Sequence, residues 1–487
     1  MTLNGSADSL MTNKVSQGSS RWNGTALNAV KGGTLFAAFP VELRVEVFLQ
    51  FCGTYSLVGK TTEGPIALLQ ICRAWSALAL QTPQLWSSFA FDSQPLLGTK
   101  QNAFLISAMK TWIDRSRNLP LSFKLHYPVL DATCADLVQS ILPSMARWRD
   151  VTLGAPSAGL LPIWEAQPNS HPCLRTLAVE TLGPYPVVLQ NLRINWAQIT
   201  ELDLFLVTIP TLDECFYILK EGVNFRRCNL NAGCVLRSGE LERLSLPKLE
   251  HLQLKMYRGG STASQETIFL MFLCALSLPR LDSLRINWNM SHQPWSKIFV
   301  ETFIEFLEES GGHLGSLHLN YLPFNGQQVL DCLSVVPALT DLGISSSQGD
   351  RQHDFIDNQF LDALTQRPGG PPCLLPLLER IRLESHGESF SNVALFRLLA
   401  SRWKFQESPP GPLECLDIVS PKRHAEYRPR RFKDLKEGRL DVAAGLRDEL
   451  MMLKVVSSFM TRDLYGQKLC FMNGDFPSNI RPLLMFK

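Results

Sequence analysis

The sequence predicts an α/β fold in which a small helical N-terminal domain is followed by a solenoid of repeated strand–helix units. Two observations predict the solenoid. A six-residue frame with apolar residues at positions 1, 4 and 6 recurs through most of the chain, and segments of helical periodicity separate its copies. A third observation, a short N-terminal helix with two apolar faces, predicts the separate domain.

The six-residue frame is clearest at Leu249, Leu252 and Leu254. Its other copies are Trp148/Val151/Leu153, Leu174/Leu177/Val179, Ile199/Leu202/Leu204, Phe225/Cys228/Leu230, Leu281/Leu284/Ile286, Leu314/Leu317/Leu319, Leu339/Leu342/Ile344, Leu378/Ile381/Leu383 and Leu413/Leu416/Ile418. Their starts lie 24 to 39 residues apart, with a mean of about 29. Alternation at positions 4 and 6 is typical of a short strand with one buried face.

Between these frames, apolar residues recur at the spacing of an amphipathic helix. The segments are 212–219, 300–307, 329–336 and 393–403. Thr211 and Glu214 predict a capping box at the start of the first of them. Strands and helices that alternate in one direction give parallel strands joined by crossovers. We therefore expect strands on the concave face of the solenoid and helices outside.

The frame and its period resemble those of leucine-rich repeats. The position eight residues after the start of such a frame usually holds Asn or Cys, and here Asn289 alone fits. We therefore expect an irregular solenoid that lacks the asparagine ladder of the family. A stacked array of this kind presents an extended surface suited to a partner.

Composition favours a soluble protein with a large core, since 45% of the 487 residues are hydrophobic and the net charge is only +2. The twelve cysteines are scattered, and those within helical patterns (Cys215, Cys274 and Cys332) are typical of reduced core thiols. The most apolar run, 268–276, is too short to cross a bilayer. These features predict a cytoplasmic and/or nuclear protein without a membrane partner.

Residues 39–52 predict a helix that is apolar on two sides, with Pro40 in its first turn. Val45, Phe48, Leu49 and Cys52 form one face, and Leu43, Val47 and Phe51 form the other. A domain of about 50 residues has enough core to cover only one such face. The second face therefore predicts a docked partner.

Three motifs follow one another in this region, and together they resemble the F-box domain. They are Phe39-Pro40-Val41-Glu42-Leu43, Ile71-Cys72-Arg73-Ala74-Trp75 and Pro83-Gln84-Leu85-Trp86. The resemblance covers about 50 residues and is closest to F-box-like proteins of basidiomycete fungi, whose chains continue into degenerate leucine-rich repeats. Phe39 replaces the leucine of the family, and the loop 53–64 is longer than its usual turn.

The resemblance implies docking on the adaptor subunit of a cullin–RING (SCF-type) ubiquitin ligase. By motif, the adaptor contacts would be Phe39, Pro40, Leu43, Val47 and Ile71. Cys72, Arg73, Trp75 and Trp86 would hold the small domain together and join it to the next. The alternative is that residues 39–86 are only a structural cap of the solenoid.

In chain order, we expect a disordered tail at 1–33, an F-box-like domain at 34–92, the solenoid at 93–442 and a C-terminal cap at 443–487. Within the solenoid, 103–117 predicts a helix and 119–125 the first strand of the sheet. Loops are expected at 367–372 and 406–412. The basic segment 421–433 is interpreted as a solvated loop before a last helix and strand at 434–442, with a nuclear localisation or nucleic-acid patch as the alternative.

No catalytic motif is visible in the sequence. It contains no phosphate-binding glycine loop, no His-Glu-x-x-His and no Gly-x-Ser-x-Gly. We therefore expect a non-enzymatic protein without a cofactor, metal or nucleic-acid partner. The leading hypothesis is a substrate receptor that binds an adaptor and an unknown target protein. The rival hypothesis is an interaction scaffold whose F-box-like segment is only a cap.

Overall fold

The computed structural model describes most of the chain between residues 38 and 403 and four strands beyond it. The described residues are 38–52, 55–56, 64–92, 99–166, 170–182, 192–206, 208–237, 241–258, 264–289, 295–346, 354–366, 373–385, 389–403, 415–419, 458–462, 468–470 and 485–486. They fall into two compact units. The helical unit comprises the described residues 38–52 and 64–85, and the repeat unit comprises 55–56 and those from 86 onward.

The helical unit contains α1 (Val41–Cys52), α2 (Gly64–Ile71) and α3 (Arg73–Gln81). The helix α1 begins directly after Pro40, whose carbonyl accepts a hydrogen bond from the Arg44 amide at 3.2 Å. Phe48, Leu68 and Ala79 are buried. The Phe48 ring lies 5.0 Å from that of Trp75, centroid to centroid. The contact between Phe48 and Trp75 and the aliphatic side chain of Leu68 therefore contribute to the core of this unit.

The repeat unit is built on a sixteen-stranded sheet, in which neighbouring strands follow the order of the sequence. Its strands are β1 (Tyr55–Ser56), β2 (Ser88–Asp92), β3 (Leu121–His126), β4 (Trp148–Pro156), β5 (Thr176–Leu182), β6 (Glu201–Phe205), β7 (Arg227–Gly233), β9 (His251–Tyr257), β11 (Ser283–Asn289), β12 (Ser316–Asn320), β13 (Asp341–Ser345), β14 (Arg380–Glu384), β15 (Cys415–Val419), β16 (Ser458–Arg462), β17 (Lys468–Cys470) and β18 (Met485–Phe486). Neighbours pair in parallel up to β16, and β17 and β18 are antiparallel. Two short strands, β8 (Leu244–Ser245) and β10 (Leu276–Ser277), pair separately.

Helices connect many of these strands. They are α4 (Thr99–Arg115), α5 (Ala132–Ile141), α6 (Ser157–Trp164), α7 (Leu212–Glu221), α8 (Gln265–Cys274), α9 (Lys297–Ser310), α10 (Gly326–Ser334), α11 (Asn358–Ala363) and α12 (Asn392–Trp403). The capping box at the start of α7 is confirmed: the Glu214 amide donates to Thr211 Oγ1, and the Thr211 amide donates to Glu214 Oε2. The alternation of strands and helices makes this a mixed α/β, solenoid-like fold.

The strand register reproduces the six-residue frame. Position 4 of every frame pairs with position 4 of the next, from Val151 and Leu177 to Ile381 and Leu416. Position 6 forms the adjacent row, from Leu153 to Ile418. From Val151 to Leu383, the side chains of both rows are buried. The frame is therefore the unit that fixes both the register and the core.

The backbone at frame position 2 repeats as regularly as the side chains. Its carbonyl accepts hydrogen bonds from two successive amides of the next frame, as Gly315 does from Thr340 at 2.8 Å and Asp341 at 2.9 Å. We call this arrangement the paired-acceptor turn. It occurs at Arg175, Thr200, Arg226, Glu250, Asp282, Gly315 and Thr340. Each turn is formed by backbone groups, and in two of them a threonine hydroxyl of the next frame also donates to the same carbonyl: Thr200 Oγ1 to Arg175 at 3.2 Å and Thr340 Oγ1 to Gly315 at 3.1 Å.

The sheet begins earlier than the sequence predicted. The segment 119–125 does contain a strand, β3, but its assignment as the first strand is wrong because β1 and β2 precede it. Trp86, Phe89 and Phe91 have the spacing of the frame and are all buried. Phe89 pairs with Phe123. The range expected for the F-box-like domain, 34–92, therefore includes strands of the repeat unit.

One asparagine supports a turn from a different frame position than that of the family ladder. Asn231 is buried at position 7 of its frame. Its Oδ1 accepts from the Leu206 amide at 2.9 Å, and its Nδ2 donates to the Leu206 carbonyl at 2.6 Å. An asparagine thus satisfies the backbone of the preceding repeat, two residues earlier in the frame than the family pattern has it.

The described cysteines are free thiols. Cys215 and Cys332 are buried as expected, but Cys274 is exposed, because it ends α8 on the side away from the core. Burial raises the pKa of the Cys332 thiol to about 12, so this thiol is neutral at physiological pH.

Several predictions concern residues outside the described part of the chain: the tail 1–33, the loops 367–372 and 406–412, the basic segment 421–433 and the elements at 434–442. Within the described residues, no helix combines the length and apolarity needed to span a membrane.

Candidate partner-binding surfaces

The helix α1 carries an exposed line of large apolar side chains. Leu43 is 54% exposed, Val47 is 51% exposed and Phe51 is 60% exposed. They lie four residues apart, so they are neighbours on one side of the helix. Phe48 on the other side is fully buried. The two apolar faces predicted for this helix are thus in different environments.

On the side of α1 that faces the core, the thiol of Cys52 is uncharged at neutral pH. Burial raises the pKa of its thiol to about 11. Glu42 and Glu46 are exposed on the same helix. The exposed apolar line is therefore bordered by carboxylates, as the rim of a protein interface commonly is.

The other predicted adaptor contacts lie outside α1. Phe39 and Pro40 are exposed just before the helix, and Ile71 is 55% exposed as the last residue of α2. The structure thus places Leu43 and Val47 together on one helix side. Phe51 was missing from the list of predicted contacts, although its spacing of four residues from Val47 was a signal that could have included it.

The four residues expected to hold the domain together fall into two groups. Cys72 and Arg73 are exposed at the start of α3, and their role in holding the domain together stays a prediction. Trp75 is half-buried against Phe48. Trp86 is fully buried in the repeat unit, where its ring lies 4.7 Å from that of Trp112.

The second candidate surface is the side of the sheet away from the buried rows, formed by frame positions 3, 5 and 7. Alternation along each strand turns these side chains away from the core. On β11 to β14 they include a basic cluster, which we define as Arg285, His318, Asp341, Arg380 and Arg382. The cluster therefore contains three arginines and one aspartate.

Asp341 is the centre of the basic cluster. Arg380 Nε lies 3.4 Å from its Oδ2, and His318 Nε2 lies 3.4 Å from its Oδ1, although the latter contact is poorly aligned for a hydrogen bond. Burial alone would raise the pKa of Asp341, but the contacts with His318 and Arg380 outweigh burial, and the pKa is lowered. Asp341 is therefore a carboxylate at neutral pH.

Gly343 makes room for the histidine of this cluster. It pairs with His318 on the neighbouring strand, and a Cβ at Gly343 would lie 2.1 Å from His318 Nδ1. The imidazole ring thus occupies the space beside Gly343 that a side chain would need, and it is itself buried. Any side chain at this position would displace the ring from Asp341.

A ladder of polar side chains runs beside the basic cluster at frame position 7. Asn320 Nδ2 donates to Asn287 Oδ1, and the Ser345 hydroxyl lies 2.9 Å from both Asn320 Oδ1 and Glu384 Oε2. Tyr321 Oη donates to Glu384 Oε1 at 2.8 Å. The carboxylate of Glu384 is thus engaged by hydroxyl groups of the ladder.

Within the described residues, no group of three or more His, Cys, Asp or Glu side chains is arranged to hold a metal ion. Comparison with known proteins adds no assignment: no protein-family model matches the chain, and no curated protein matches it significantly. The two surfaces are therefore interpreted from their own chemistry.

Proposed function

We propose that this protein is a non-catalytic substrate receptor of an SCF-type cullin–RING ubiquitin ligase. The helical unit docks on the adaptor subunit through α1, and the outward face of the sheet, concave in the expected solenoid, holds a target protein. The observation that carries the proposal is the exposed line of Leu43, Val47 and Phe51.

This line has the character of a docking element. Each side chain is more than half exposed in the complete chain, and an apolar stripe at four-residue spacing is the form in which a helix enters a groove. Covering the exposed parts of the three side chains would stabilise a complex by roughly 3 kcal/mol. The F-box resemblance of the surrounding motifs supplies the class of partner.

The rival interpretation, an interaction scaffold with a structural cap, is less well supported by the same residues. A cap exists to cover apolar surface, whereas α1 leaves Leu43, Val47 and Phe51 exposed. The exposure of Cys72 and Arg73 favours the rival interpretation, because the F-box resemblance expects these two residues to hold the small domain together.

Co-purification of a recombinant SCF adaptor with the full chain tests the proposal. Leu43→Asp should lower the affinity by at least about a hundredfold, because docking would bury an unpaired carboxylate at a penalty of several kcal/mol. The fold should be preserved, since Leu43 is exposed and contributes little to the core.

Ile298→Asp is the matched control. Ile298 lies in α9 of the repeat unit and is 70% exposed, so the same chemical change is made away from α1. It should leave adaptor recovery unchanged. Equal recovery of the adaptor with wild type and with Leu43→Asp would count against docking through this line of α1, and no recovery with either would favour the scaffold interpretation.

A further inference from the structure

The basic cluster carries more positive than negative charge, and its single aspartate is already engaged. Asp341 lies between Arg380 and His318, at 3.4 Å from each. Arg285, on β11, interacts electrostatically with the Asp341 carboxylate, without a close ion pair between them. Among the described residues, Asp341 is the carboxylate whose charge acts on Arg285, so an incoming anion would not have to displace a close ion pair there.

Arg285 is held in a position that favours an anion. It remains exposed, yet its surroundings withdraw enough water that burial lowers its pKa; Asp341 opposes this effect, and the nearby Arg382 adds to it. A planar guanidinium in such a setting binds a carboxylate through two parallel hydrogen bonds.

In the strand register, four positions on this face of the sheet form one row that crosses the strands. Arg285, His318, Gly343 and Arg382 occupy the same row on four successive strands. The His318 ring lies over Gly343 between the two arginines. Arg382 stands opposite Asp417 in the register, so Arg285 is the stronger anchor of the two.

We propose that this row binds an acidic segment of the target protein, with a glutamate or aspartate carboxylate on Arg285 and a second one near Arg382. The inference rests on the proposed use of the sheet face for target binding. Arg285 and Arg382 are three strand spacings apart, about 14 Å. An extended segment covers this distance in about four residues, which sets the separation of the two acidic side chains.

The chemistry of the cluster favours a carboxylate over a phosphate group. Arg285 and Arg382 stand about 14 Å apart across the sheet, and Arg380 is paired with Asp341, so the two ends of the row suit two separate, singly charged groups. A phosphoryl group carries nearly two negative charges at neutral pH, and a carboxylate carries one.

Fluorescence anisotropy with the full chain tests the assignment. The probe is a labelled twelve-residue peptide of alternating Glu and Gly, and a Gln-for-Glu peptide and a phosphoserine-for-Glu peptide are its comparisons. Arg285→Gln should weaken binding of the Glu peptide about tenfold, and Arg382→Gln should weaken it less. The Gln peptide should not bind measurably, and the phosphoserine peptide should bind no tighter than the Glu peptide.

Arg175→Gln is the matched control, because Arg175 is exposed beside β5, far along the sheet from β11. It should change the affinity less than twofold. Unchanged binding by Arg285→Gln, or equal loss with Arg175→Gln, would overturn the site. Tighter binding of the phosphoserine peptide would overturn the choice of carboxylate. A change in monomer–dimer equilibrium with Arg285→Gln would assign the face to a second copy instead.

This result is separable from the test of adaptor docking. Arg285→Gln should recover the adaptor as wild type does, and Leu43→Asp should bind the Glu peptide as wild type does. Loss of both functions in either variant would indicate misfolding, which circular dichroism and thermal melting of the same samples detect.

Discussion

Large apolar side chains are buried along the strands of the repeat unit but exposed along one side of α1 in the helical unit. In the repeat unit, frame positions 4 and 6 from Val151 to Leu383 are at most 3% exposed. In α1, Leu43, Val47 and Phe51 are at least 51% exposed. The same residue types therefore stabilise the fold in one unit and remain available to a partner in the other. Sequence hydrophobicity alone does not distinguish these uses, whereas burial does.

The largest expected effect tests this contrast directly. Leu254 is fully buried in β9, so Leu254→Ala should lower the free energy of unfolding by about 2–5 kcal/mol. Val47→Ala removes an exposed group and should change the free energy of unfolding by less than about 0.5 kcal/mol. Urea unfolding followed by circular dichroism measures both values. Similar losses in the two variants would contradict the contrast.

A smaller effect is expected at Arg402, a charged residue that the repeat unit encloses. Its guanidinium donates to the carbonyl oxygens of Leu364, Leu374 and Leu375 at 2.8 to 2.9 Å. Arg402→Met leaves these acceptors without their donor and should destabilise the protein by about 3 kcal/mol. Arg397→Met, on the exposed side of the same helix, is the control. A thermal midpoint that falls equally in both variants would exclude this role.

The smallest effect of the three is expected at Asn231. Asn231→Ala removes both hydrogen bonds to the backbone of Leu206 and should lower the free energy of unfolding by about 2 kcal/mol. Asn229→Ala on the same strand should have less effect, since Asn229 is only half-buried. Faster hydrogen exchange at the Leu206 amide in Asn231→Ala would localise the loss. An unchanged exchange rate would show that the Asn231 side chain does not protect this amide.

Much of the repeat unit was predictable because one short pattern determines strand, face and register at once. The frame from Trp148 to Leu413 identified each main strand of this region, and the helical spacing identified α7, α9, α10 and α12. The copy at Trp86, Phe89 and Phe91 was missed because Trp86 also completes an F-box-like motif. Spacing alone would have found it, as it found the frame at Trp148.

The candidate surfaces were predictable to different degrees. The two faces of α1 follow from helical periodicity, so the exposure of Leu43 and Val47 could be expected. The basic cluster depends on register between residues far apart in the chain, such as Arg285 and Arg382. The position of His318 over Gly343 depends on a missing side chain on the neighbouring strand. No local sequence pattern indicates such a contact.

The paired-acceptor turn has a consequence for how this architecture can change. Glu250 and Thr340 form the same turn, although the connections that follow them are of different length. Because each turn is formed mainly by main-chain groups, with a threonine hydroxyl added at Thr200 and Thr340, extra residues in a connection need not disturb it. A whole strand–helix segment could therefore be duplicated or removed, and the flanking turns would join again without a matching change in side chains. Lineages carrying this architecture can lengthen or shorten it in units, and so vary the reach of the sheet face.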